Sequence, residues 1–423
     1  MKRRRTYPLD NSAIIHLVAR SRRHSNAFRV TVSLKDSVCP QTLQKALDRI
    51  TPRFPCVIAG IRAGFLQYRL VPVKEPPLIQ PDTVCLAPMR KAEIRTCAVR
   101  FFYQDNQISA EFFHALTDGY GGMVVLNTLV AAYLELQYGS RIPVSAMTLD
   151  PCTTPLAAEI TDDYLTHAGE RPQLPSRNAA YQLPGQAEKT GIPQTSERFY
   201  SADEVNAAAH RYGVSITALL GAVMAASVLK IQRTHRKNSQ AVQIMIPVNL
   251  RKLFESTTLR NFALFALLRV GPSERTRSFE KLTSLCQIQI QKQNRADYMA
   301  SVMAGNKTAA TFPLFRILPL PMKVFLLRIV YNLFGERTSC ISLSNLGVIT
   351  LPEEMQEHVA GIDFLLTPRI KSPYNCGVVT YDGILSIHFT RLCPEPELET
   401  VFFSMLEEFL KSNSRSNTYD RAI

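Results

Sequence analysis

Glu111-Phe112-Phe113-His114-Ala115-Leu116-Thr117-Asp118-Gly119 closes an alternating, strand-like run and stands just ahead of a small-residue turn and an apolar helix. A histidine there sits where a strand stops and its side chain can leave the core, with Asp118 and Gly119 at fixed offsets behind it. Eight His and 18 Gly in 423 residues make a chance His-x-x-x-Asp-Gly an event expected on the order of 0.02 times.

Upstream, Ile94 to Tyr103 alternates as a strand, Gln104-Asp105-Asn106 has turn chemistry, and Gln107 to His114 reads as the return strand. In that strand Ile108, Ala110, Phe112 and His114 share one face, and Ser109, Glu111 and Phe113 the other. Downstream, Gly119, Gly121 and Gly122 lead into a helix, Met123 to Leu136, apolar nearly all round and therefore expected to be buried. The same order returns near the end of the chain: Asn375 to Tyr381, the turn Asp382-Gly383, Ile384 to Arg391, then a helix with Leu398, Val401, Phe402, Met405, Phe409 and Leu410 on one side. Setting Asp105 against Asp382 brings Ser109 onto Ser386, Phe112 onto Phe389 and His114 onto Arg391. A duplication is expected whose second copy lacks the histidine, with one reaction site between two similar halves.

Between these landmarks, Cys39-Pro40 opens an amphipathic helix through Leu43, Ala46, Leu47 and Ile50, and Val57–Ile61 and Phe65–Val71 read as short strands. Residues 138–195 hold seven prolines and little periodicity, as a crossover would. Ser201-Ala202-Asp203-Glu204 is a capping box that starts a helix stopped at Gly213. A longer apolar helix, Ser215 to Ile231, and a buried strand, Ala241 to Val248, follow. Phe312 to Phe334 is apolar but carries Arg316, Lys323 and Arg328 and three prolines, which argues against a membrane span. It reads either as a kinked pair of core helices or as a surface meeting lipid or a greasy substrate.

The length allows two large cores, and 46% hydrophobic with 20% charged residues is the composition of an ordinary folded protein. Nine cysteines without a C-x-x-C pair fit neither a disulfide framework nor a zinc site, and no metal constellation is seen. A reducing cytoplasm is expected, and no cleaved signal, because the basic Met1-Lys2-Arg3-Arg4-Arg5 has no apolar stretch behind it. Residues 1–35 hold nine Lys or Arg against one acid, Asp10, within a net charge of +14. Such a cluster suits phosphate-bearing ligands, an acidic carrier protein or a membrane surface, and no nucleic-acid signature accompanies it.

Phe113 to Gly119, in a chain of two halves, resembles the superfamily of chloramphenicol acetyltransferase, dihydrolipoamide acyltransferases, plant BAHD acyltransferases, alcohol acetyltransferases and the condensation domains of nonribosomal peptide synthetases. Tyr7-Pro8-Leu9-Asp10, Pro247-Val248-Asn249-Leu250-Arg251 and Ser342-Leu343-Ser344-Asn345-Leu346-Gly347 resemble its opening segment, its basic second-half motif and its serine-bearing strand. Phe113 stands where condensation domains usually carry a second histidine, and the Trp-free chain lacks the plant block. Bacterial alcohol acetyltransferases look nearest. The resemblance implies an α/β (α+β) fold of two chloramphenicol-acetyltransferase-like subdomains, each a mixed sheet flanked by helices, forming a pseudo-dimer with a central tunnel. Residues 1–165 and 199–423 are the expected subdomains and 166–198 the crossover.

Transfer of an acyl group from a thioester to a hydroxyl or amine needs the nucleophile's proton removed as the bond forms, which a neutral imidazole does near pH 7. His114 takes that role. Asp118 either pairs with Arg251 to orient the loop, as the resemblance implies, or caps the following helix. Gly119 is the residue type suited to a tight turn or a positive φ. Ser344 or Ser342, two apart on one strand face, is the expected oxyanion donor, and Asn261 a lining residue of the tunnel. Acyl-CoA as co-substrate, a small alcohol or amine acceptor, peripheral membrane contact and a monomer are the expected partners and state. Two other readings stay open: a stand-alone condensation-type enzyme fed by a carrier protein, and a non-catalytic binding protein working through its basic N-terminus.

Overall fold

The computed structural model describes residues 5–10, 12–21, 23–173, 178–235, 239–274, 278–311, 315, 317–335, 337–369 and 371–419. Lys2, Arg3, Arg4 and Arg22 of the basic cluster, and Phe312, Pro313, Leu314 and Arg316 of the apolar stretch, lie outside the described residues.

Val99–Gln104 (β6) pairs antiparallel with Gln107–Phe113 (β7), and Tyr374–Tyr381 (β13) with Ile384–Arg391 (β14). Both turns have two residues, and each begins with an aspartate in the left-handed region, Asp105 at φ 48° and Asp382 at φ 47°. Aspartate is one of few side chains that tolerate this conformation, because its short polar group can bond locally.

The neighbours of the hairpins also repeat. Ala27–Leu34 (β2) runs antiparallel beside β7 as Gln194–Ser201 (β8) does beside β14. Gln80–Pro81 (β5) is parallel to β6 as Ile341–Val348 (β11) is to β13. The second sheet gains Val242–Asn249 (β9) and Ala263–Val270 (β10), in the order β10-β9-β11-β13-β14-β8. In the first, Val359–Leu366 (β12) joins β2, giving β12-β2-β7-β6-β5. A small third sheet is built from Tyr7–Pro8 (β1), Ala59–Ala63 (β3) and Tyr68–Pro72 (β4). Thus β12, from the second half of the chain, finishes the sheet of the first half. It also lies against β14, where Thr390 Oγ1 donates to Leu366 O at 2.5 Å.

Helices Pro40–Ile50 (α2) and Gly119–Tyr138 (α4) close one core around Phe28, Phe101, Phe112 and Leu126. Ala202–Arg211 (α6), Ile216–Thr234 (α7) and Glu397–Tyr419 (α12) close the other around Ile387, Phe389 and Phe402. Two mixed sheets flanked by helices are the expected α/β architecture. The α4 and α7 helices are long and apolar enough to cross a membrane, yet most of each is buried inside the protein.

Several local expectations change. Ile94 lies not in a strand but in a short helix, Lys91–Thr96 (α3), because Glu93 accepts the Arg90 backbone N–H at 2.7 Å and starts a turn before β6. Phe65 is at a hairpin tip closed by Gly64 N–H on Gln67 O, and β4 begins only at Tyr68. The proline-rich crossover contains Asp163–Thr166 (α5), capped by Asp162. The strand β8 has no sequence signature, because most of its residues are exposed at a sheet edge and no alternation marks it. Leu320–Val330 (α11) is not a core helix: Phe325 on it is 65% exposed.

Candidate active site

Beyond the end of β7, the His114 backbone N–H donates to Asn26 O at 2.9 Å, which holds the residue against the start of β2. Its side chain is half-buried. The ring Nδ1 lies 3.3 Å from Asn261 Oδ1. With the amide oxygen as acceptor, this contact is made by the tautomer that has its hydrogen on Nδ1 and its lone pair on Nε2.

The flanks of the ring are filled. His16, on Ile14–Ala19 (α1), stacks on it with centroids 4.2 Å apart and planes 6° from parallel, and Phe28 meets it edge-on at 5.2 Å. The Asn26 side-chain amide lies 2.9 Å from His16 Nδ1, so Asn26 holds both histidines, one by its carbonyl and one by its side chain. Burial keeps the His114 imidazole below the ordinary histidine range, against hydrogen bonding to its own backbone, the charge of Asp118, Asn261 and the Thr117 backbone. Burial, and then His114, keep His16 well below that range. Both rings are neutral near pH 7.

Asp118 is the N-cap of α4, its Oδ1 accepting from Gly121 N at 3.1 Å. Its Oδ2 accepts from Arg251 Nη1 and from Phe262 N, both at 2.8 Å. The cap and the arginine pairing therefore coexist. Arg251 opens Arg251–Phe254 (α8) just after β9 and binds the loop that leads into β10: Nε to Thr258 O at 2.7 Å, Nη2 to Arg260 O at 2.6 Å. Its guanidinium also lies 4.7 Å from the Tyr120 ring centroid. Thr117 Oγ1 donates to Leu259 O at 2.6 Å, and Arg260 pairs with buried Asp10. A loop of the second half is thus tied at several points to the first, and this is what delivers Asn261 to His114.

Of the two roles expected of Gly119, the positive φ is ruled out. Its φ is not in the left-handed region; a Cβ there would lie 2.7 Å from Leu346 Cδ2 of β11, and one at Gly121 2.5 Å from Leu259 O. These glycines let the second half approach the start of α4. Ser342 and Ser344 lie on β11, Ser344 two residues before the Leu346 that presses on Gly119. Among the described residues neither serine is hydrogen-bonded to His114; the side chain in hydrogen-bond contact with its ring is Asn261. His16, Asn26 and Phe28 carried no motif, and only the nearness of His16 to Tyr7-Pro8-Leu9-Asp10 hinted at a place in the site.

Two concavities lie elsewhere. One of about 560 Å³ runs between β8 and α12, past Arg198, Arg391 and Glu399. The other, about 270 Å³, lies beside β10, between Leu264, Tyr298, Val302 and Asn306, below Phe279–Gln293 (α9) and Ala296–Thr311 (α10).

No family profile and no curated protein sequence matches the chain. Solved structures do. TRI3 trichothecene 15-O-acetyltransferase from Fusarium sporotrichioides aligns over 96% of this chain and 94% of its own with a TM-score of 0.64 at 13% identity. The starter condensation domain of rhizomide synthetase RzmA, solved as a mutant with C8-CoA and Leu-SNAC, aligns over 96% and 93% with a TM-score of 0.58 at 14% identity. F. sporotrichioides TRI101, solved with coenzyme A and T-2, aligns over 94% and 97% with a TM-score of 0.60 at 12% identity. The chain has the fold of these acyltransferases and condensation domains, as the resemblance implied.

Proposed function

We propose that the protein is an acyltransferase that moves an acyl group, acetyl being the simplest, from an acyl-CoA thioester to the hydroxyl or amine of a small acceptor. The observation that carries the reading is His114 itself: a half-buried imidazole, kept neutral by burial, whose Nδ1 lies against Asn261 Oδ1, the contact that suits a lone pair on Nε2. In the proposed step Nε2 takes the proton of the acceptor as its oxygen or nitrogen bonds to the thioester carbonyl carbon. The carbonyl pair moves onto oxygen, and Ser344 or Ser342 is the hydroxyl proposed to meet that charge. Collapse re-forms the carbonyl and breaks the carbon–sulfur bond, and the thiolate leaves with the proton from the imidazolium. General-base help of this kind is typically worth about 10²–10⁴ in rate, and an oxyanion donor about 3–4 kcal/mol. Asp118 and Arg251 do not enter the chemistry; they hold the loop that carries Asn261.

The fold is shared with a condensation domain, so an acyl carrier protein is the alternative donor. Thiol release from acetyl-CoA, followed by mass spectrometry over a panel of alcohols and amines, tests the reading. His114→Ala is expected to lose about 10²-fold or more of turnover while remaining folded. Full turnover in that variant would overturn it, and activity with an acylated carrier but none with acyl-CoA would replace the donor.

A further inference from the structure

The α11 helix turns apolar side chains outward and one charged side chain inward. Its charged Lys323 is buried and donates from Nζ to Leu66 O at 2.9 Å, and Leu320 is buried beside it. Met322, Phe325, Leu326 and Ile329, at i, i+3, i+4 and i+7, are all exposed. The Leu320 backbone N–H donates to Phe65 O at 2.9 Å, which sets the tip of the β3–β4 hairpin against the start of the helix, and Phe65 is 78% exposed. Eight of the 20 large hydrophobics exposed among the described residues fall within 65–66 and 317–330. That is one surface, not scatter.

The surface has a charged edge. Arg328 Nη2 lies 3.5 Å from Arg20 O at the end of α1, and the two guanidinium groups are near enough that Arg328 lowers the pKa of Arg20, after burial. Among the described residues neither arginine has a carboxylate partner. Two neighbouring cations with no carboxylate partner among the described residues, in a chain of net charge +14, suit an anionic ligand.

We propose that this face docks on an anionic lipid bilayer, with Phe65, Phe325 and Ile329 entering the acyl boundary and Arg20 and Arg328 meeting headgroup phosphates. At 11 residues α11 is too short to span a bilayer, so it lies in the interface plane. The helix packs on α1, whose His16 stacks on His114. The docking face and the candidate base therefore share one short helix. Docking does not depend on the acyl-transfer reading; combined with it, the acceptor is an amphiphile drawn from the lipid phase.

The test is flotation of the full chain with phosphatidylcholine vesicles, with and without phosphatidylglycerol. Binding is expected to need the anionic lipid and to weaken with salt. Phe325→Glu with Ile329→Glu is expected to lower the bound fraction about tenfold, and Arg328→Glu by a comparable factor, with unchanged circular dichroism. Because these positions are on the surface, folding should survive. His114→Ala should float as the parent does, which separates failure of docking from failure of the enzymatic reading. The proposal is overturned if the parent ignores phosphatidylglycerol or if the double Glu variant floats equally well. It is also overturned if light scattering shows a dimer that the same variant dissolves, since a second copy would then cover the face.

Discussion

In the first hairpin the cross-strand pair Arg29–Glu111 joins β2 to β7; in the second, the matching positions on β8 and β14 are Glu197 and His388, an ion pair with its charges exchanged. Each pair takes a third member from outside its hairpin. Asp82, just past β5, reaches Arg29, and Asp363 of β12 stands 3.1 Å from His388 Nε2. Three residues further along β7 and β14 the likeness ends. Arg391 turns to Glu399 and Gln194 of its own half, whereas His114 faces the loop of the other half. A buried charge on the strand face, Glu111 in one hairpin and His388 in the other, needs a partner, because an unpaired buried ion is costly. At the strand ends the two hairpins differ: Arg391 is a strut within its own half, whereas His114 is an imidazole held from both halves.

That division can be broken most sharply at the arginines. Arg251→Ala leaves Asp118 buried without its partner and should cost about 3–5 kcal/mol in urea unfolding, together with turnover, since Asn261 loses its anchor. Arg391→Ala should leave turnover alone, and a loss there would mean that the second strand end also serves the site.

The exchanged pair offers a pH test. Burial pulls His388 down, but Asp363 and Glu197 prevail and push it up to about 9. A histidine raised in the folded state binds its proton more tightly there than in the unfolded chain. Its contribution is therefore complete below about pH 6.5 and is lost as pH rises through about 9, a difference on the order of 3 kcal/mol. Thermal melts of His388→Gln against the parent across that range should show the slope in the parent only.

The smallest effect belongs to His16. Burial is the main cause of the depressed His114 pKa, and His16 covers one face of that ring. His16→Ala should move the acid limb of kcat/KM upward toward the ordinary histidine value, by less than about one pH unit. His16→Phe, which keeps the face covered, should hold the limb near its parental position. Equal behaviour of the two variants would remove the stacking from the account of His114.

Much of the fold was legible because its signals are local. Asp105-Asn106 and Asp382-Gly383 announce two-residue turns, Ser201 and Ser215 cap their helices, and apolar residues at i, i+3, i+4 and i+7 mark α2. Each depends on residues within about two turns of chain. The strand β12 was not legible, since nothing in Val359–Leu366 says that its partner is β2 rather than a strand of its own half. Nor was α11, where composition resembles a core helix and only the position of Lys323 reveals which side faces inward.

At the candidate site the boundary between local and distant information falls within a few residues. The sequence by itself determined that a histidine would end a strand, that an aspartate would precede an apolar helix, and that the second hairpin would lack the histidine. Periodicity and turn chemistry act over short separations and survive without the rest of the chain. Only the tertiary structure decided what meets that histidine. Asn261 is 147 residues away, and His16 reaches the ring through the packing of α1; the Arg251–Asp118 pair, 133 residues apart, was expected from the resemblance and from no local pattern. Such contacts depend on how two sheets and one crossing strand are assembled, and no local pattern specifies that assembly.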